Sequence, residues 1–198
     1  MSGHDETGAT PELADVLPGA ELVHGREAIE AAIAGMAARI AADYAGIGPA
    51  GVRPVFLTVM NGALPFAAQL ALGIGAHGLD LEMDYLHATR YRGATHGGEL
   101  LWKRRPGTVL RGRHVLLVDD IVDEGHTLDA VRAWCTGQGA RDVRIAAMVV
   151  KRHDRCVAGL CADYVGLDVP DRYVFGYGMD FHEQGRNLPA IYALAEEA

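Results

Sequence analysis

The sequence predicts an α/β fold in which helices flank a mostly parallel central sheet. Two runs, Val115–Val118 and Val143–Val150, are apolar except for Arg144, as is typical of strands buried on both faces. The segment Leu128–Gln138 between them is predicted to be a helix, so the three segments form a strand-helix-strand unit with parallel strands. The chain has 198 residues, 49% of them hydrophobic, which is enough for the core of one such domain with at most a small appendage.

The first part of the chain supplies further elements of this fold. Residues 1–20 are polar and have too little apolar surface to order themselves, so we expect a loose tail. Apolar residues recur at helical spacing along Arg26–Tyr44, which predicts an amphipathic helix. The β-branched run Val55–Met60 predicts a strand, followed by a turn at Asn61-Gly62 and a second helix over Leu64–Leu72.

The segment Leu79–His87 alternates apolar and polar residues, which predicts a strand with one solvent-exposed face. The apolar side would hold Leu79, Leu81, Met83 and Tyr85, and the exposed side Asp80, Glu82 and Asp84. Three glycines and two arginines in Thr89–Gly98 then predict a long, mobile loop. Near the end of the chain we expect short strands with glycine turns over residues 163–180, and a short helix near Pro189–Leu194.

The composition limits the possible classes of function. The chain has 18 basic and 26 acidic residues, and its net charge of −8 disfavours binding to nucleic acid. No apolar run reaches the ~18 residues of a membrane helix, and Met1–Ala20 lacks the features of an export signal. Three cysteines, Cys135, Cys156 and Cys161, include no Cys-x-x-Cys pair and are typical of reduced thiols. We therefore expect a cytoplasmic protein that binds neither nucleic acid nor membrane.

One segment near the middle of the chain carries the strongest functional signal. An apolar strand runs directly into Asp119, Asp120 and Asp123, and a turn centred on Gly125 then opens a helix at Thr127. Carboxylates at the end of a buried strand can bind hydroxyl groups or a divalent cation, and the free N–H groups of the turn and helix start can bind an anion. This combination predicts a site for a phosphorylated sugar.

An alternative interpretation is a buried strand and an acid-capped helix of some Rossmann-like domain, since Asp and Thr are ordinary cap residues. A dinucleotide site would have Gly-x-Gly-x-x-Gly after the strand, and a P-loop would have Gly-Lys-Thr. Neither pattern follows this strand.

The segment resembles the phosphoribosyl pyrophosphate motif of type I phosphoribosyltransferases. The motif positions are filled in order by Val115–Val118, Asp119-Asp120, Ile121-Val122, Asp123 and Gly125-His126-Thr127, while Glu124 and His126 depart from the residues common in the family. The resemblance implies a type I phosphoribosyltransferase fold with a small hood subdomain and a flexible lid loop. The domain would span residues 21–198, with the hood formed from its N-terminal segment and residues from about 165 onward.

The resemblance also implies the residues that bind phosphoribosyl pyrophosphate. These are Asp119, Asp120, Asp123, Glu124, Gly125, His126 and Thr127, with Asn61, Gly62 and Arg186 at the pyrophosphate. The family often has Lys or Arg where Asn61 stands, so its backbone N–H groups would act as donors instead. The lid would carry Arg90 and Tyr91, where the family usually has Ser-Tyr. Mg²⁺ would be held by Asp119, Asp120 and Asp180, partly through water.

Further segments resemble the hypoxanthine-guanine branch of the family. There, a lysine after the motif helix contacts the exocyclic oxygen of the purine, which implies this role for Lys151. An ammonium donor favours a 6-oxopurine over adenine, whose amino group cannot accept. Tyr173 would stack on the base, Val174 would offer its main chain, and Asp180 would complete the purine site. Asp123 would be the catalytic residue, accepting the proton of purine N7 or hydrogen-bonding to it.

The resemblance thus implies a Mg²⁺-dependent enzyme of purine salvage. It would transfer the 5-phosphoribosyl group to hypoxanthine or guanine, giving IMP or GMP and pyrophosphate, and would be a homodimer or homotetramer. One alternative is a phosphoribosyltransferase for xanthine, adenine or uracil. The other is a regulatory protein of the same fold that binds nucleic acid, although the net charge of −8 and the lack of an added domain count against it.

Overall fold

The computed structural model describes residues 12–47, 52–90 and 100–195, with only the main chain described at residues 90 and 100. The helices are α1 (Leu13–Val16), α2 (Arg26–Tyr44), α3 (Leu64–Ala76) and α4 (His126–Gly137). The strands are β1 (Glu21–His24), β2 (Val55–Val59), β3 (Glu82–Arg90), β4 (Leu100–Arg104), β5 (His114–Val122), β6 (Asp142–Lys151), β7 (Tyr164–Val169), β8 (Val174–Phe175) and β9 (Ile191–Ala193). None of the helices in these ranges is both long enough and apolar enough to span a bilayer.

Six strands form the central sheet, in the order β4-β3-β2-β5-β6-β7. The five strands from β3 to β7 in this order are parallel, and only the edge strand β4 runs antiparallel to its neighbour. The predicted mostly parallel sheet is therefore confirmed. Because β2 and β5 pair in register from Val55 and Val115 onward, their carboxyl ends lie side by side at one edge of the sheet.

Helices cover both faces of this sheet, as predicted. All five residues of β2 are buried, and successive residues face opposite layers. Phe56 packs in the core cluster that contains α2 and α3 residues such as Ile33 and Phe66. Leu57 packs in the second cluster, which contains Val131 of α4. Burial on both faces explains why the strand sequence is continuously apolar.

A second, three-stranded sheet has the order β1-β9-β8, with antiparallel pairing throughout. It joins the segment just before α2 to the last part of the described chain. The expected short helix near Pro189–Leu194 is wrong, because Ile191–Ala193 is the central strand of this sheet. Ile191 and Ala193 are buried while Tyr192 is only partly buried, a period of two that suits a strand.

Part of the expected loose tail is also ordered. Residues 1–11 lie outside the described residues, but α1 is followed by a 3₁₀ turn at Leu17–Gly19. The N–H of Leu13 donates to the side-chain oxygen of Gln184 at 2.9 Å. A contact across so much of the sequence supplies the stabilisation that the segment lacks by itself.

The predicted strand Leu79–His87 begins only at Glu82, and from there on its two faces are the reverse of those predicted. Before it, Leu79 and Leu81 pack against the core and Asp80 is exposed, as predicted. Met83 is 59% exposed and Tyr85 is 41% exposed, whereas only 10% of the Asp84 side chain is exposed. The Asp84 carboxylate accepts hydrogen bonds from Arg104 and from the N–H groups of Gly107 and Thr108. These donors compensate for the loss of water around the carboxylate, so the polar face can turn inward.

Candidate active site

A cavity of about 1090 Å³ opens at the carboxyl edge of the central sheet. Ligands in open parallel sheets bind at this edge, because the loops after the strands diverge there. The cavity is lined by all of the residues predicted to bind phosphoribosyl pyrophosphate: Asn61, Gly62, Asp119, Asp120, Asp123, Glu124, Gly125, His126, Thr127 and Arg186, together with Asp180. The structure therefore brings these separate segments to a single site.

Asp119 and Asp120 form a buried acidic pair near the end of β5. Burial raises the pKa of Asp119 well above its ordinary value, and the neighbouring Asp120 carboxylate raises it further. Burial also raises the pKa of Asp120. In the described part of the chain, neither carboxylate forms an ion pair with a basic side chain. Hydroxyl donors or a divalent cation would relieve the unfavourable burial of these two acids.

The turn after β2 lies directly against this pair. The Met60–Asn61 peptide is cis. A Cβ atom on Gly62 would overlap the Asp120 carboxylate, and one on Gly178 would overlap the carbonyl oxygen of Gly62. Gly178 therefore has no room for a side chain, because its Cβ would meet the backbone of Gly62, whereas a Cβ on Gly62 would displace the Asp120 carboxylate.

The predicted phosphate turn leads into α4 as expected. Gly125 has φ of 79° and ψ of 0°, a left-handed conformation that favours glycine, and a Cβ there would overlap Leu160. No side chain caps the first turn of α4, so its N–H groups are available to an anion. The side chains of Glu124 and His126 are about half exposed and lie 3.6 Å apart. The backbone N–H groups of this turn could therefore bind an anion without these two side chains.

Asp123 is held by two donors that approach its two oxygens separately. Lys151 Nζ donates to Oδ2 at 2.6 Å, and His153 Nε2 lies 2.7 Å from Oδ1. Partial burial raises the pKa of Asp123, but the hydrogen bonds from Lys151 and His153 outweigh it and leave the pKa below its ordinary value. Asp123 is therefore an ionised carboxylate at neutral pH, ready to accept a proton or a hydrogen bond.

Arg186 and Asp180 form an ion pair at the opposite wall of the cavity. Arg186 Nη2 lies 2.8 Å from Asp180 Oδ1, and Nη1 donates to the carbonyl oxygen of Gly178 at 2.9 Å. The other oxygen of Asp180 accepts from the N–H of Glu183. The positive charge of Arg186 lowers the pKa of Asp120, partly opposing the effect of burial.

A model of the phosphoribosyl transferase domain family matches residues 20–181. The chain belongs to the phosphoribosyltransferase family. It is 37% identical over 163 residues to the hypoxanthine-guanine phosphoribosyltransferase of Streptococcus pneumoniae, which covers 82% of this chain and 86% of that protein. The Streptococcus agalactiae protein of the same name is 34% identical over the same shares. A Trypanosoma cruzi hypoxanthine phosphoribosyl transferase structure has a TM-score of 0.82 at 29% identity, covering 88% of this chain and 91% of that one.

Three of the four predicted purine-binding residues of this phosphoribosyltransferase, Lys151, Tyr173 and Asp180, line the cavity or contact a residue that lines it. Lys151 ends β6 and reaches the site through Asp123. Tyr173 is exposed, and its hydroxyl donates to the carbonyl oxygen of Asp180 at 3.0 Å. Val174 begins β8 and is buried. Asp180 lines the cavity, whereas Lys151, Tyr173 and Val174 are not among its lining residues.

The lid prediction falls at the limit of what the structure describes. The main chain of Arg90 ends β3, but its side chain lies outside the described residues, as does Tyr91. The roles of both residues stay predictions.

Three further side chains at the phosphoribosyltransferase site were missed by sequence reasoning. His87 of β3 and Lys103 of β4 line the cavity, and His153 contacts Asp123. Partial burial lowers the pKa of His87, and the positive charges of Lys103 and Arg186 lower it further, so His87 faces both cations. His153 stands two residues after Lys151, a proximity that could have drawn attention to it. Nothing in the sequence pattern around Lys103 indicates that β4 folds back beside the site.

One other cluster has potential metal ligands. Ligand atoms of Asp123, His153 and Asp171 all lie within 4.8 Å of one another. Both oxygens of Asp171 accept from Arg155, at 2.8 and 2.6 Å, and both oxygens of Asp123 are bonded as described above. Because these groups are already neutralised by cationic or N–H donors, we assign no metal to the cluster.

Proposed function

We propose that the chain is a purine salvage enzyme that transfers the 5-phosphoribosyl group from phosphoribosyl pyrophosphate to hypoxanthine or guanine. The products would be IMP or GMP and pyrophosphate. The names of its relatives support this activity. The observation that carries it is that one cavity brings together three features. They are the acidic pair Asp119 and Asp120, which has no basic partner among the described residues, the amide-lined turn at Gly125, and Asp123, which is bonded to Lys151. The acids and the turn suit a sugar phosphate, and Asp123 with Lys151 suits a 6-oxopurine.

The donor binds along the acidic pair and the turn. The free N–H groups from Gly125 to Thr127 would bind the 5-phosphate, where the start of α4 favours negative charge. Asp119 and Asp120 would accept hydrogen bonds from the ribose hydroxyls. As the bond between C1′ and pyrophosphate breaks, positive charge develops on the ribose ring. The two carboxylates stabilise that charge more strongly than they stabilise the neutral ring of the donor.

The pyrophosphate would lie between the turn after β2 and Arg186. Backbone N–H groups at Asn61 and Gly62 would donate to it, and the guanidinium of Arg186 offers donors beyond those bound to Gly178 and Asp180. The lid residues Arg90 and Tyr91 would exclude water, which otherwise competes with the purine as nucleophile.

The purine would lie against Asp123 and Lys151. Asp123 would accept the N7 proton as the new bond from C1′ to the purine forms, so the proton leaves on the carboxylate while the pyrophosphate leaves with the bonding electrons. Lys151 has three N–H donors, of which Asp123 uses one, and a second would reach the exocyclic oxygen. Tyr173 would stack on the ring, and the main chain of Val174 would bind its edge.

Mg²⁺ is the proposed cofactor. Asp119 and Asp120 fit a hard cation, because they are buried oxygen donors with raised pKa values and no basic partner among the described residues. When bound, Mg²⁺ would offset the charge of the pyrophosphate leaving group. Asp180 fits less directly, since Arg186 already neutralises it, so its share would be through water.

We also propose a homodimer or homotetramer that works in the cytoplasm. Its assembly is supported by large apolar side chains exposed on α3 and β3: Leu64, Leu72, Met83 and Tyr85. Exposed apolar surface of this kind commonly marks an interface. The cytoplasmic localisation is based on the three free cysteines.

A screen of bases with phosphoribosyl pyrophosphate and Mg²⁺ tests the reaction and its specificity together. Ultraviolet absorbance should show conversion of hypoxanthine and guanine to nucleotides, with release of pyrophosphate. Adenine should react at least ~100-fold more slowly, because its exocyclic amino group cannot accept a hydrogen bond from Lys151. Uracil should also react at least ~100-fold more slowly, because its single ring has no N7 proton for Asp123 to accept. Conversion of adenine at the rate of hypoxanthine would contradict the purine assignment, and no conversion of any base would contradict the enzyme itself.

A further inference from the structure

His153 has a buried side chain that the reaction as described above does not use. It follows the end of β6 by two residues, and only 3% of its side chain is exposed. Its Nε2 atom lies 2.7 Å from Asp123 Oδ1. It is not one of the residues that line the cavity, so it reaches the reacting groups only through Asp123.

The position of the imidazole proton follows from the partner on its other nitrogen. The backbone N–H of Arg155 donates to His153 Nδ1 at 3.2 Å. An N–H group can only donate, so Nδ1 must carry a lone pair. A neutral imidazole then has its proton on Nε2, which makes His153 the donor to Asp123.

The loop that fixes this tautomer is itself anchored. The guanidinium of Arg155 binds both oxygens of Asp171, which lies two residues before Tyr173. A continuous chain of contacts therefore runs from the segment predicted to stack on the purine, through Arg155 and His153, to Asp123. Lys151 bonds the other oxygen of Asp123, so the carboxylate plane is held from two sides.

The two donors to Asp123 differ in what else they must do. Lys151 is also proposed to bind the purine oxygen, so its ammonium group is shared between Asp123 and the substrate. His153 has no second partner in the cavity. It is the donor that can keep Asp123 oriented throughout the reaction.

We propose that His153 is a positioning residue, whose Nε2–H holds the Asp123 carboxylate in the orientation that accepts the purine proton. This inference rests on the proposed role of Asp123 as proton acceptor. His153 transfers no proton itself. A donor to the ionised carboxylate also lowers the pKa of Asp123, in agreement with the direction found. The other charged groups around this pair are Lys151, Arg155, Asp171 and Glu124.

Two substitutions distinguish the effect of the His153–Asp123 hydrogen bond from the effect of ring packing at position 153. His153→Phe keeps a ring of similar size without a donor, and His153→Gln keeps an N–H donor at a similar reach. His153→Phe should lower kcat by about 10- to 100-fold, as expected for a lost bond to a charged group, with little change in the KM for phosphoribosyl pyrophosphate. The acid limb of its profile of kcat against pH should move up by about one unit. His153→Gln should recover most of kcat and the wild-type acid limb.

A wild-type kcat and an unshifted acid limb for His153→Phe would overturn the inference, as would equal losses in both variants. Should His153→Phe fail to fold, the ¹⁵N spectrum of the wild-type imidazole decides: a proton on Nδ1 instead of Nε2 overturns the proposal. His77→Phe, at an exposed position after α3, is the control and should behave as wild type. Asp123→Asn separates the failure of this inference from the failure of the proposed function. An active Asp123→Asn would refute the role of Asp123 as proton acceptor, whereas an inactive one leaves the His153 variants to test the positioning role alone.

Discussion

Two aspartates four positions apart show how the surroundings of a residue decide its chemistry. Burial raises the pKa of Asp119, and the adjacent Asp120 carboxylate adds to this effect. The pKa of Asp123 is lowered instead, because two donors outweigh its partial burial. Titratable groups whose pKa values are pushed apart in one cavity are typical of catalytic sites. The acidic pair suits hydroxyls or a cation, and Asp123 suits a proton acceptor.

Asp123→Asn should separate catalysis from donor binding. The amide cannot accept the purine proton, so kcat should fall by about 10²- to 10⁴-fold. The KM for phosphoribosyl pyrophosphate should stay within about threefold, because the acidic pair and the turn remain. Steady-state kinetics with varied donor check both values. Asp129→Asn, on the exposed part of α4, is the matched control, and an unchanged kcat for Asp123→Asn would exclude Asp123 from the mechanism.

Lys103 should supply part of the positive charge that the family often places, as Lys or Arg, at the position of Asn61. It lines the cavity and has no ion pair among the residues that the structure describes, so its ammonium group can face a pyrophosphate. Lys103→Gln should raise the KM for phosphoribosyl pyrophosphate by about 3- to 10-fold at low salt, with a smaller effect at high salt because exposed charges are screened. Arg105→Gln, one residue after the end of β4, is the control and should have little effect on this KM. Equal effects of both substitutions would show that only the net charge matters.

At the scale of elements, the strand-turn-helix motif was predicted well because its signals are local. The apolar run, the acids and Gly125 each specify the backbone near them, and the structure has β5, the turn and α4 in that order. The wrong predictions concern elements whose structure is set by residues distant in sequence. The faces of β3 are set by donors from beyond β4, and β9 forms because β1 and β8 lie on either side of it. Such pairings leave no mark within a short segment of sequence.

Gly62→Ala tests the close approach of the turn to the acidic pair. The added Cβ would overlap the Asp120 carboxylate, so that this side chain or the turn would have to move. Overpacking of this kind typically costs ~1–3 kcal/mol, which should appear as at least a ~10-fold weaker affinity for phosphoribosyl pyrophosphate by calorimetry. Gly75→Ala in α3 is the control, since its Cβ would meet nothing within 4 Å and should slightly stabilise the helix. A wild-type affinity for Gly62→Ala would mean that the turn moves freely.

Asp84 should make the stability of the β3–β4 region depend on pH. Burial raises its pKa, but hydrogen bonds from Thr108, Tyr85 and Arg104 outweigh it and lower the pKa to about 2. Because the folded value lies below the unfolded one, the stabilisation is complete above about pH 4 and is lost as the pH falls toward 2. After allowance for solvent screening it amounts to about 1–2 kcal/mol.

Urea unfolding of wild type and Asp84→Asn measures how much the ionised Asp84 carboxylate contributes to the free energy of unfolding. The variant should be less stable at pH 7, and the difference should shrink as the pH is lowered from 5 to about 3. Asp80→Asn, whose side chain is exposed, should follow the wild-type curve. A difference that stays constant with pH would assign the loss to packing, not to the charge of Asp84.

For the whole molecule, the sequence identified the fold and most of the cavity lining, but not the side chains that depend on how distant segments meet. Asp119, Asp120 and Gly125 belong to one motif, whereas Lys103 comes from the edge strand and His153 is fixed by the loop at Arg155. Such residues carry no motif of their own. Their roles are visible only when the tertiary structure places them beside the motif.

The association of whole chains can be tested on α3. Leu72 is 77% exposed, and a charge there would oppose burial in an interface. Leu72→Arg should shift the mass measured by light scattering from dimer or tetramer toward monomer, without loss of helical circular dichroism. Val109→Arg, exposed elsewhere, should leave the mass unchanged. A wild-type mass for Leu72→Arg would place the interface away from α3.

The contact of Gly178 with the turn at Gly62 has a consequence for biosynthesis. The wall of the cavity formed by Arg186 and Asp180 becomes available only after the ribosome has made the residues that follow β8. A nascent chain with a finished central sheet thus presents only one side of the nucleotide pocket. Enzymatic competence should therefore arise abruptly during translation, once β8 and the residues that follow it have docked.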